Sequence, residues 1–259
     1  MRRALGKCSR GLPPLVLCTI CAITPLRLVS QPMSQSTQGN AKHAAAGHAA
    51  KKPPNKARKV LSQFTTHFDP SNAKRAHNIR LAALRLNGKV IAPGQVFSLN
   101  RVVGERTHKN GFLTAPVIEE GKKVPGIGGG VSQIAGTLFN AALLAGLTVK
   151  EYQNHARPVQ YLPVGRDATV AWNLIDLKIK NDTPSPVVIK AHPRGGRLTV
   201  VVLGIPVPGR KIGLAVHKKK VTPTHVETDL YRVIKRAGKT IRKERIGHAD
   251  YNWRAENPD

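Results

Sequence analysis

Residues 126–140 read Gly-Ile-Gly-Gly-Gly-Val-Ser-Gln-Ile-Ala-Gly-Thr-Leu-Phe-Asn, and this stretch decides the interpretation of the rest of the chain. A glycine cluster runs into Ser132, and the apolar positions that follow have helical spacing. The pattern predicts a buried central helix over residues 132–145, ended by Gly146. Helix N-termini present free N–H groups and a partial positive charge, which suit a nucleophile or an anion. We therefore expect a binding or reactive site around Ser132.

Short β-prone runs separated by turn residues surround this helix. A second, N-terminal helix is predicted over residues 71–86, because its alanines and Ile79 share one face and Asn87-Gly88 ends the pattern. Residues 101–110 and 121–130 are predicted to be loops. The pattern as a whole predicts an α+β fold, with a largely antiparallel sheet packed on the central helix. The predicted strands are residues 61–68, 90–91, 96–99, 116–118, 148–152, 159–162, 168–172, 177–179, 186–191 and 198–203.

Pro206, Pro208 and Gly209 mark a boundary after the last of these strands. Beyond it, residues 230–235 and 240–245 flank Ala237-Gly238 and predict a β-hairpin. With residues 212–216 the hairpin forms a small C-terminal β appendage. The chain is thus divided into a main domain at residues 60–205 and a C-terminal β extension at residues 206–259.

The first 59 residues have the composition of a leader and a linker. Residues 1–30 begin with four basic side chains and continue with an apolar run that three prolines interrupt. This pattern predicts an export signal or an N-terminal anchor, the alternative being a disordered basic N-terminus of a cytoplasmic protein. Residues 31–59 are rich in Ser, Gln, Ala, His, Lys and Pro and predict a disordered basic linker.

The chain is strongly basic, with a formal net charge of +28 at pH 7. Residues 60–259 contain 31 of the 42 Lys and Arg residues and all 14 Asp and Glu residues, so the predicted folded part still carries +17. Such a charge favours anionic partners, such as a cell-envelope polymer or an anionic membrane surface near the basic N-terminus. The low aromatic content and the absence of a nucleic-acid fold signature argue against nucleic acid as the partner.

Cysteine usage excludes several kinds of site from the body of the protein. Cys8, Cys18 and Cys21 are the only cysteines, so a disulfide framework or a cysteine-based zinc site cannot form downstream. His43, His48 and other histidines lack the spacing of metal ligands, and no Lys-Ser/Thr follows the glycines as a P-loop requires. We expect neither a metal nor a cofactor.

Ordered segments over residues 60–205 resemble the VanW family. The central motif is residues 126–140, and its other matches spread over the whole predicted domain. They are Asn78-Ile79, Leu86-Asn87-Gly88, residues 93–98, residues 104–107, Gly111-Phe112, residues 115–118, His155, Pro158-Val159, Tyr161, Pro163, residues 165–169 and Asp176-Leu177.

The resemblance implies an exported protein that acts at the cell wall, and some relatives are linked to L,D-transpeptidation of peptidoglycan. Members of the family usually carry Cys where this chain has Ser132. The expected arrangement is Ser132 as nucleophile, His155 as base, Asp167 as the group that orients His155, and the N–H groups near Ser132 and Gln133 as an oxyanion hole. The expected substrate-binding residues are Gly128, Gly129, Gly130, Gln133, Glu105, Arg106, Tyr161 and Arg166.

Each of these side chains also has a structural interpretation. Ser132 is in a favoured position for a helix N-cap, where it would only satisfy a backbone N–H near Ala135. His155 can be a packed imidazole, and Asp167 can cap a turn or pair with a local Arg. Glu105 and Arg106 can form an ion pair in a loop, which would add little stability.

These observations favour a wall-associated protein whose pocket recognises peptidoglycan peptide or a related anionic polymer without catalysis. An alcohol gains far less than a thiol from a helix N-terminus, because a thiol has a reference pKa of about 8.5 and readily ionises there. The alternative is a serine-dependent acyl transferase or hydrolase of the L,D-transpeptidase type that acts on stem peptides. A third class, a purely electrostatic wall or membrane adhesin, would need no intact pocket.

Overall fold

The computed structural model describes residues 58–119 and 121–253, which lie within the compact unit formed by residues 53–259. The predictions for residues 1–30 and for most of the linker lie outside this range. The helices are α1 (Ala73–Leu86), α2 (Leu99–Val103) and α3 (Val131–Ala145). The strands are β1 (Lys59–His67), β2 (Val90–Ile91), β3 (Val96–Ser98), β4 (Thr114–Glu119), β5 (Lys122–Ile127), β6 (Thr148–Glu151), β7 (Lys178–Lys180), β8 (Val187–Arg194), β9 (Arg197–Gly204), β10 (Arg210–Val221), β11 (His225–Arg236) and β12 (Lys239–Asn252).

All strand pairs are antiparallel, and strands outnumber helices. The main sheet has the order β1-β9-β8-β2, and a second sheet has the order β3-β7-β6. Strand β9 alternates between buried and partly exposed residues, with Leu198, Val200 and Val202 fully buried on one face. A two-residue period of this kind places one face of a sheet on the core. The mostly antiparallel sheets are consistent with the predicted α+β fold, although strand dominates over helix.

Helix α3 lies in the centre of the core. Thirteen of its fifteen residues are buried, and it contacts β1, β9 and α1. A helix that is apolar nearly all round must be covered on every side, which explains why both the sheet and α1 pack on it. Among the described residues, no helix combines the length and the apolar character needed to span a membrane.

Several predicted elements differ from the structure. Residues 122–127, expected in a glycine-rich loop, form strand β5, because they pair in register with β4 from Thr114↔Ile127 to Glu119↔Lys122. The predicted loop at 101–110 begins inside α2, whose N-terminus is capped by Ser98 Oγ. Residues 159–162 form no strand, and residues 168–172 make only isolated bridges through Thr169 and Ala171.

The C-terminal sheet, β10-β11-β12, is longer than the predicted hairpin and is joined closely to the core. Ala237 and Gly238 both have positive φ, as a two-residue hairpin turn of the favoured twist requires. Arg232 donates from Nη1 to the carbonyl of Leu147 at 2.6 Å, just beyond the end of α3. The sheet therefore contributes to the core and is more than an appendage.

The turn before α3 leaves no space at its middle residue. Gly128 and Gly130 have φ values of 85° and 105°, which glycine adopts without strain. A Cβ atom on Gly129 would lie 2.5 Å from the carbonyl oxygens of both Ala115 and Pro116 in β4. The glycines thus allow close contact between the turn and β4.

We predict that Gly129→Ala lowers the free energy of unfolding by about 1–3 kcal/mol or more, because backbone atoms must move to admit the methyl group. Gly213→Ala is the matched control, since a Cβ there meets nothing within 4 Å. Chemical denaturation of both variants measures the difference. Equal stability of the two variants would show that the turn is not tightly packed against β4.

Candidate functional site

A cleft of about 960 Å³ opens at the N-terminus of α3. Its walls come from the start of α1, the β4–β5 hairpin and the segments around residues 153–161 and 169–175. The expected site residues Ser132, His155, Gln133, Arg106, Tyr161, Gly128, Gly129 and Gly130 all line it. Asp167 lies behind His155 and does not line the cleft, and neither do Glu105 and Arg166.

Ser132 is not the N-cap of α3. The helix begins at Val131, and its N-cap is Gly130, which adopts a left-handed conformation and offers no side chain. The interpretation of Ser132 as a capping residue is therefore wrong, because the helix starts one residue earlier than the pattern suggested. Instead, Ser132 Oγ lies 3.1 Å from Thr169 Oγ1 and accepts a long 3.4 Å contact from the N–H of Val170.

His155 and Asp167 form a buried, oriented pair. His155 is 7% exposed and Asp167 is 1% exposed. His155 Nδ1 lies 2.7 Å from Asp167 Oδ2, and the backbone N–H of His155 donates to the same oxygen at 2.9 Å. The expectation that Asp167 orients His155 agrees with this geometry. The alternative of a local arginine partner does not, since Asp167 has no Arg among its described contacts.

The Asp167 carboxylate is held in its ionised form. Burial by itself raises the pKa of Asp167, but the hydrogen bonds and charge of His155 and the hydroxyl of Tyr251 outweigh it, so the pKa is lowered. A carboxyl whose pKa is lower in the folded state stabilises the fold above its unfolded pKa of 3.8. That contribution is lost as the pH falls through the folded pKa.

A short β-bridge brings the serine and the histidine segments side by side. Thr169, the partner of Ser132, is bridged to Gln153, and its N–H donates to the Gln153 carbonyl at 2.8 Å. His155 follows Gln153 by two residues, and Asp167 precedes Thr169 by two. The bridge thus brings the segment that contacts Ser132 beside the segment that carries His155. Within the described part of the chain, however, no hydrogen bond joins Ser132 to His155.

The expected oxyanion hole is only half present. The N–H of Gln133 donates to the Gly130 carbonyl at 3.0 Å, so it cannot serve a ligand. The N–H of Ser132 has no backbone partner among the described residues. The Gln133 side chain is also fully engaged, because its amide donates to Thr66 and to the His67 carbonyl, while Oε1 accepts from Arg75 at 2.7 Å. Gln133 therefore positions Arg75, a cleft residue that the sequence analysis missed.

The remaining expected substrate-binding residues separate into two groups. Glu105 is exposed outside the cleft and makes no ion pair with Arg106, so the proposed loop ion pair is wrong. Arg166 stacks over Phe64 and donates to Asn140 at 2.8 Å, which is a packing role. Tyr161 lines the cleft, and burial raises the pKa of its hydroxyl.

Arg106 is the most unusual of these side chains. Its Nη1 donates to the Gly104 carbonyl at 3.0 Å, whereas its Nη2 is buried without a partner. Burial lowers the pKa of Arg106 to about 10, although Asp176 counteracts this effect in part. The group remains cationic at neutral pH.

Tyr251, in the C-terminal strand β12, stabilises the Asp167 carboxylate that holds His155. It is fully buried, and its hydroxyl donates to Asp167 Oδ1 while accepting from the N–H of Gly165 at 2.8 Å. Asn154 adds a bond to Asp167 Oδ1 at 3.0 Å. No local pattern links Tyr251 to a residue 84 positions earlier, so the sequence analysis could not find it. In the described part of the chain, no group of three or more His, Cys, Asp or Glu side chains is placed to hold a metal ion.

We predict that Tyr251→Phe lowers the free energy of unfolding by about 1–3 kcal/mol, because it removes one of the donors to a buried carboxylate oxygen and leaves the Gly165 N–H without its acceptor. Tyr231→Phe is the matched control: this tyrosine stands on the same sheet with Lys243 over its ring, and its hydroxyl makes no hydrogen bond among the described residues. Thermal and urea unfolding measure both variants. Equal stability of the two would show that Tyr251 does not support Asp167.

Comparison with known proteins identifies the family. The family model described as VanW like protein matches residues 74–203, which is half of the chain and runs from α1 to β9. The chain is 42% identical over 142 residues to "Uncharacterized protein YoaR" of Bacillus subtilis (strain 168), covering 55% of this chain and 47% of that protein. It is 34% identical over 132 residues to "Vancomycin B-type resistance protein VanW" of Enterococcus faecalis (strain ATCC 700802 / V583), covering 48% of this chain and 47% of that protein. The aligned region thus spans about half the length of each of these relatives, and no solved structure matches significantly. The chain belongs to the VanW family.

Proposed function

We propose that this VanW-family protein is exported to the cell wall, where its cleft binds peptidoglycan peptide or a related anionic polymer without cleaving it. The observation that carries the proposal is the position of Ser132. Its hydroxyl lies at the cleft and is hydrogen-bonded to Thr169, while His155 is bonded to Asp167 behind it. An open cleft supports ligand binding, whereas the lack of a hydrogen bond between Ser132 and His155 in the described part of the chain argues against cleavage.

The cleft has the size and the chemistry for a peptide-like ligand. Its volume of about 960 Å³ is at the upper end of the usual range for ligand pockets. Arg75 and Arg106 provide positive charge, and Tyr161 provides an aromatic surface. The Pro116–Glu119 part of strand β4 forms one wall. A mixed lining of this kind suits a chain with alternating amide and apolar groups.

The same geometry argues against catalysis by the resting protein. A serine hydroxyl needs a base within about 2.6–3.2 Å to remove its proton during attack. The short-range partner of Ser132 is another hydroxyl, which is not a base at neutral pH. Only one of the two expected oxyanion donors, the Ser132 N–H, is open.

The oriented His155–Asp167 pair supports the alternative, a serine-dependent acyl transferase or hydrolase. In that reaction Ser132 Oγ would bond to a peptide carbonyl carbon, and His155 Nε2 would take the hydroxyl proton. The C–N bond would then break, and the proton would pass to the departing amine. Water or a second amine would release the acyl group from Ser132. The Ser132 side chain would first have to break its hydrogen bond with Thr169 and form one with His155.

The proposal of export rests on the basic and apolar character of residues 1–30. Positive charge on the folded part would then favour the anionic wall. At one end of the C-terminal sheet, Arg210 faces Arg236, Arg236 faces Lys239, and Lys211 faces Lys235. None of these five side chains joins an ion pair among the described residues. Because like charges directly opposite each other destabilise a sheet, an anionic partner would relieve them.

We predict that binding of the full-length protein to purified wall sacculi weakens about tenfold or more when salt is raised from about 50 to about 500 mM, because exposed charges are then screened. Replacing Lys211, Lys235 and Lys239 with Gln should reduce this salt dependence. The matched control replaces Lys74, Lys89 and Lys190, which lie away from the C-terminal sheet. Co-sedimentation measures the bound fraction. Binding that is indifferent to salt would exclude electrostatic attraction as its driving force.

We predict that Ser132→Cys creates a reactive thiol, which reacts with iodoacetamide about five- to tenfold faster at neutral pH than a model thiol. The N-terminus of α3 and a nearby imidazole both favour thiolate. His155→Ala in the same background should slow the reaction. Peptide-resolved mass spectrometry separates residue 132 from Cys8, Cys18 and Cys21.

The natural protein provides the complementary measurement. Intact-mass spectrometry after incubation with a peptidoglycan stem peptide should show no covalent adduct on Ser132. An adduct there would contradict the binding proposal and establish the acyl-transfer alternative. Ordinary reactivity of the introduced thiol, unchanged by His155→Ala, would mean that the two residues do not act together.

A further inference from the structure

Two arginines in the cleft have no acidic partner. Arg75 donates from Nη2 to Gln133 Oε1 and lies 5.8 Å over the ring of Tyr161. Arg106 donates from Nη1 to a backbone carbonyl, and its Nη2 has no partner. Neither guanidinium makes an ion pair within residues 58–119 and 121–253. Both are therefore cations whose charge no described acidic side chain neutralises by direct contact.

These two side chains flank the same turn. The Cγ atom of Arg106 lies 2.6 Å from the ideal Cβ position of Gly128, and the Cγ atom of Arg75 lies 3.0 Å from that of Gly130. Their aliphatic parts thus pack on either side of a three-residue glycine turn. Ser132 follows this turn by two residues and lines the same cleft as both arginines.

Burial of the two cations is costly without a counter-ion. Desolvation is the main cause that lowers the pKa of both Arg75 and Arg106. A charged group that is partly removed from water needs a partner of opposite charge to recover the lost hydration energy. Asp176 is the acid whose charge acts on Arg106. Its carboxylate already accepts hydrogen bonds from Ser98 and from the N–H groups of Asn100 and Leu177.

The other acids of the cleft do not compensate for the arginines. Asp69 is exposed, and both its oxygens accept hydrogen bonds from Ser71. Glu119 is exposed at the end of β4. Lys123, by contrast, adds further positive charge to the lining. Among the described residues, the lining of the cleft therefore carries an excess of positive charge, which favours an anionic group on a ligand.

We propose that Arg75 and Arg106 form a carboxylate subsite that receives the free C-terminal carboxylate of a peptide bound in the cleft. This inference rests on the proposed function, which places a wall peptide there. A carboxylate has two oxygens and can accept from both guanidinium groups at once. Because Ser132 follows the glycine turn by two residues and lines the same cleft, a carboxylate held there places the last peptide bond of the ligand near Ser132. The subsite therefore selects chain ends over the interior of a peptide.

The test compares two ligands on the full-length protein by isothermal titration calorimetry. The first is a synthetic peptidoglycan stem tetrapeptide with a free C-terminal carboxylate, and the second is its C-terminal carboxamide. We expect the natural protein to bind the acid at least about tenfold more tightly, as charge-assisted bonds to two arginines require. A third ligand, amidated only at its internal carboxylate, should bind like the acid.

Arg75→Gln and Arg106→Gln should each remove most of the preference for the acid, measured as the ratio of the affinities for the acid and the carboxamide. Arg80→Gln is the matched control, because Arg80 is exposed on the same helix as Arg75 and does not line the cleft. Arg75→Lys retains a positive charge and should retain part of the preference. Thermal unfolding confirms that each variant is folded.

Equal affinity of the natural protein for the acid and the carboxamide would overturn the subsite while leaving the proposed function intact. A preference that survives both Gln variants would do the same. If neither peptide binds, the proposed function fails, and the subsite is judged separately with N-acetyl-D-alanine and its amide. In that case, the acid alone should shift the Nε–Hε NMR signals of Arg75 and Arg106, and the absence of this shift would overturn the subsite.

Discussion

A buried, ionised carboxylate organises this protein. Asp167 is almost completely removed from water. Its charged carboxylate would destabilise the fold unless hydrogen-bond donors surrounded it. The donors come from distant parts of the chain: His155 and Asn154 from the segment after β6, and Tyr251 from the last strand. The carboxylate therefore fixes the imidazole, the cleft wall and the C-terminal sheet relative to one another.

This arrangement gives the C-terminal sheet a part in the site. The match to the family ends at residue 203, whereas Tyr251 lies in β12 and donates to the buried carboxylate. The sheet is further joined to the core through Arg232 and the Leu147 carbonyl. Polar contacts in such a network strengthen one another where water is excluded. The matched region contains most of the residues that line the cleft, and the extension supplies Tyr251, which helps to hold Asp167 in place.

Local pattern was sufficient to predict the elements but not all the contacts between them. The 3.6-residue period predicted α1 and α3, and β-prone runs bounded by turn residues predicted β8, β9 and the final hairpin, because these signals depend on residues close in sequence. The glycine-rich sequence around β5 predicted a loop. The strand forms through its pairing with β4, which local sequence does not reveal. The resemblance to the family pointed to Ser132 and His155, and both side chains line the cleft. Arg75 and Tyr251 were missed, since their roles depend on partners 58 and 84 positions away.

Binding and catalysis in this site would depend on interactions that act over different distances. Charge attraction from Arg75 and Arg106 acts over several ångströms and tolerates small shifts of a ligand. Proton transfer from a serine requires a base at hydrogen-bond distance, and Ser132 is instead held by Thr169. A thiol at this position would depend less on such contact, because the field of a helix N-terminus already favours its anion. Replacing sulfur by oxygen can therefore remove the chemistry from the site and leave the groups that recognise a ligand unchanged.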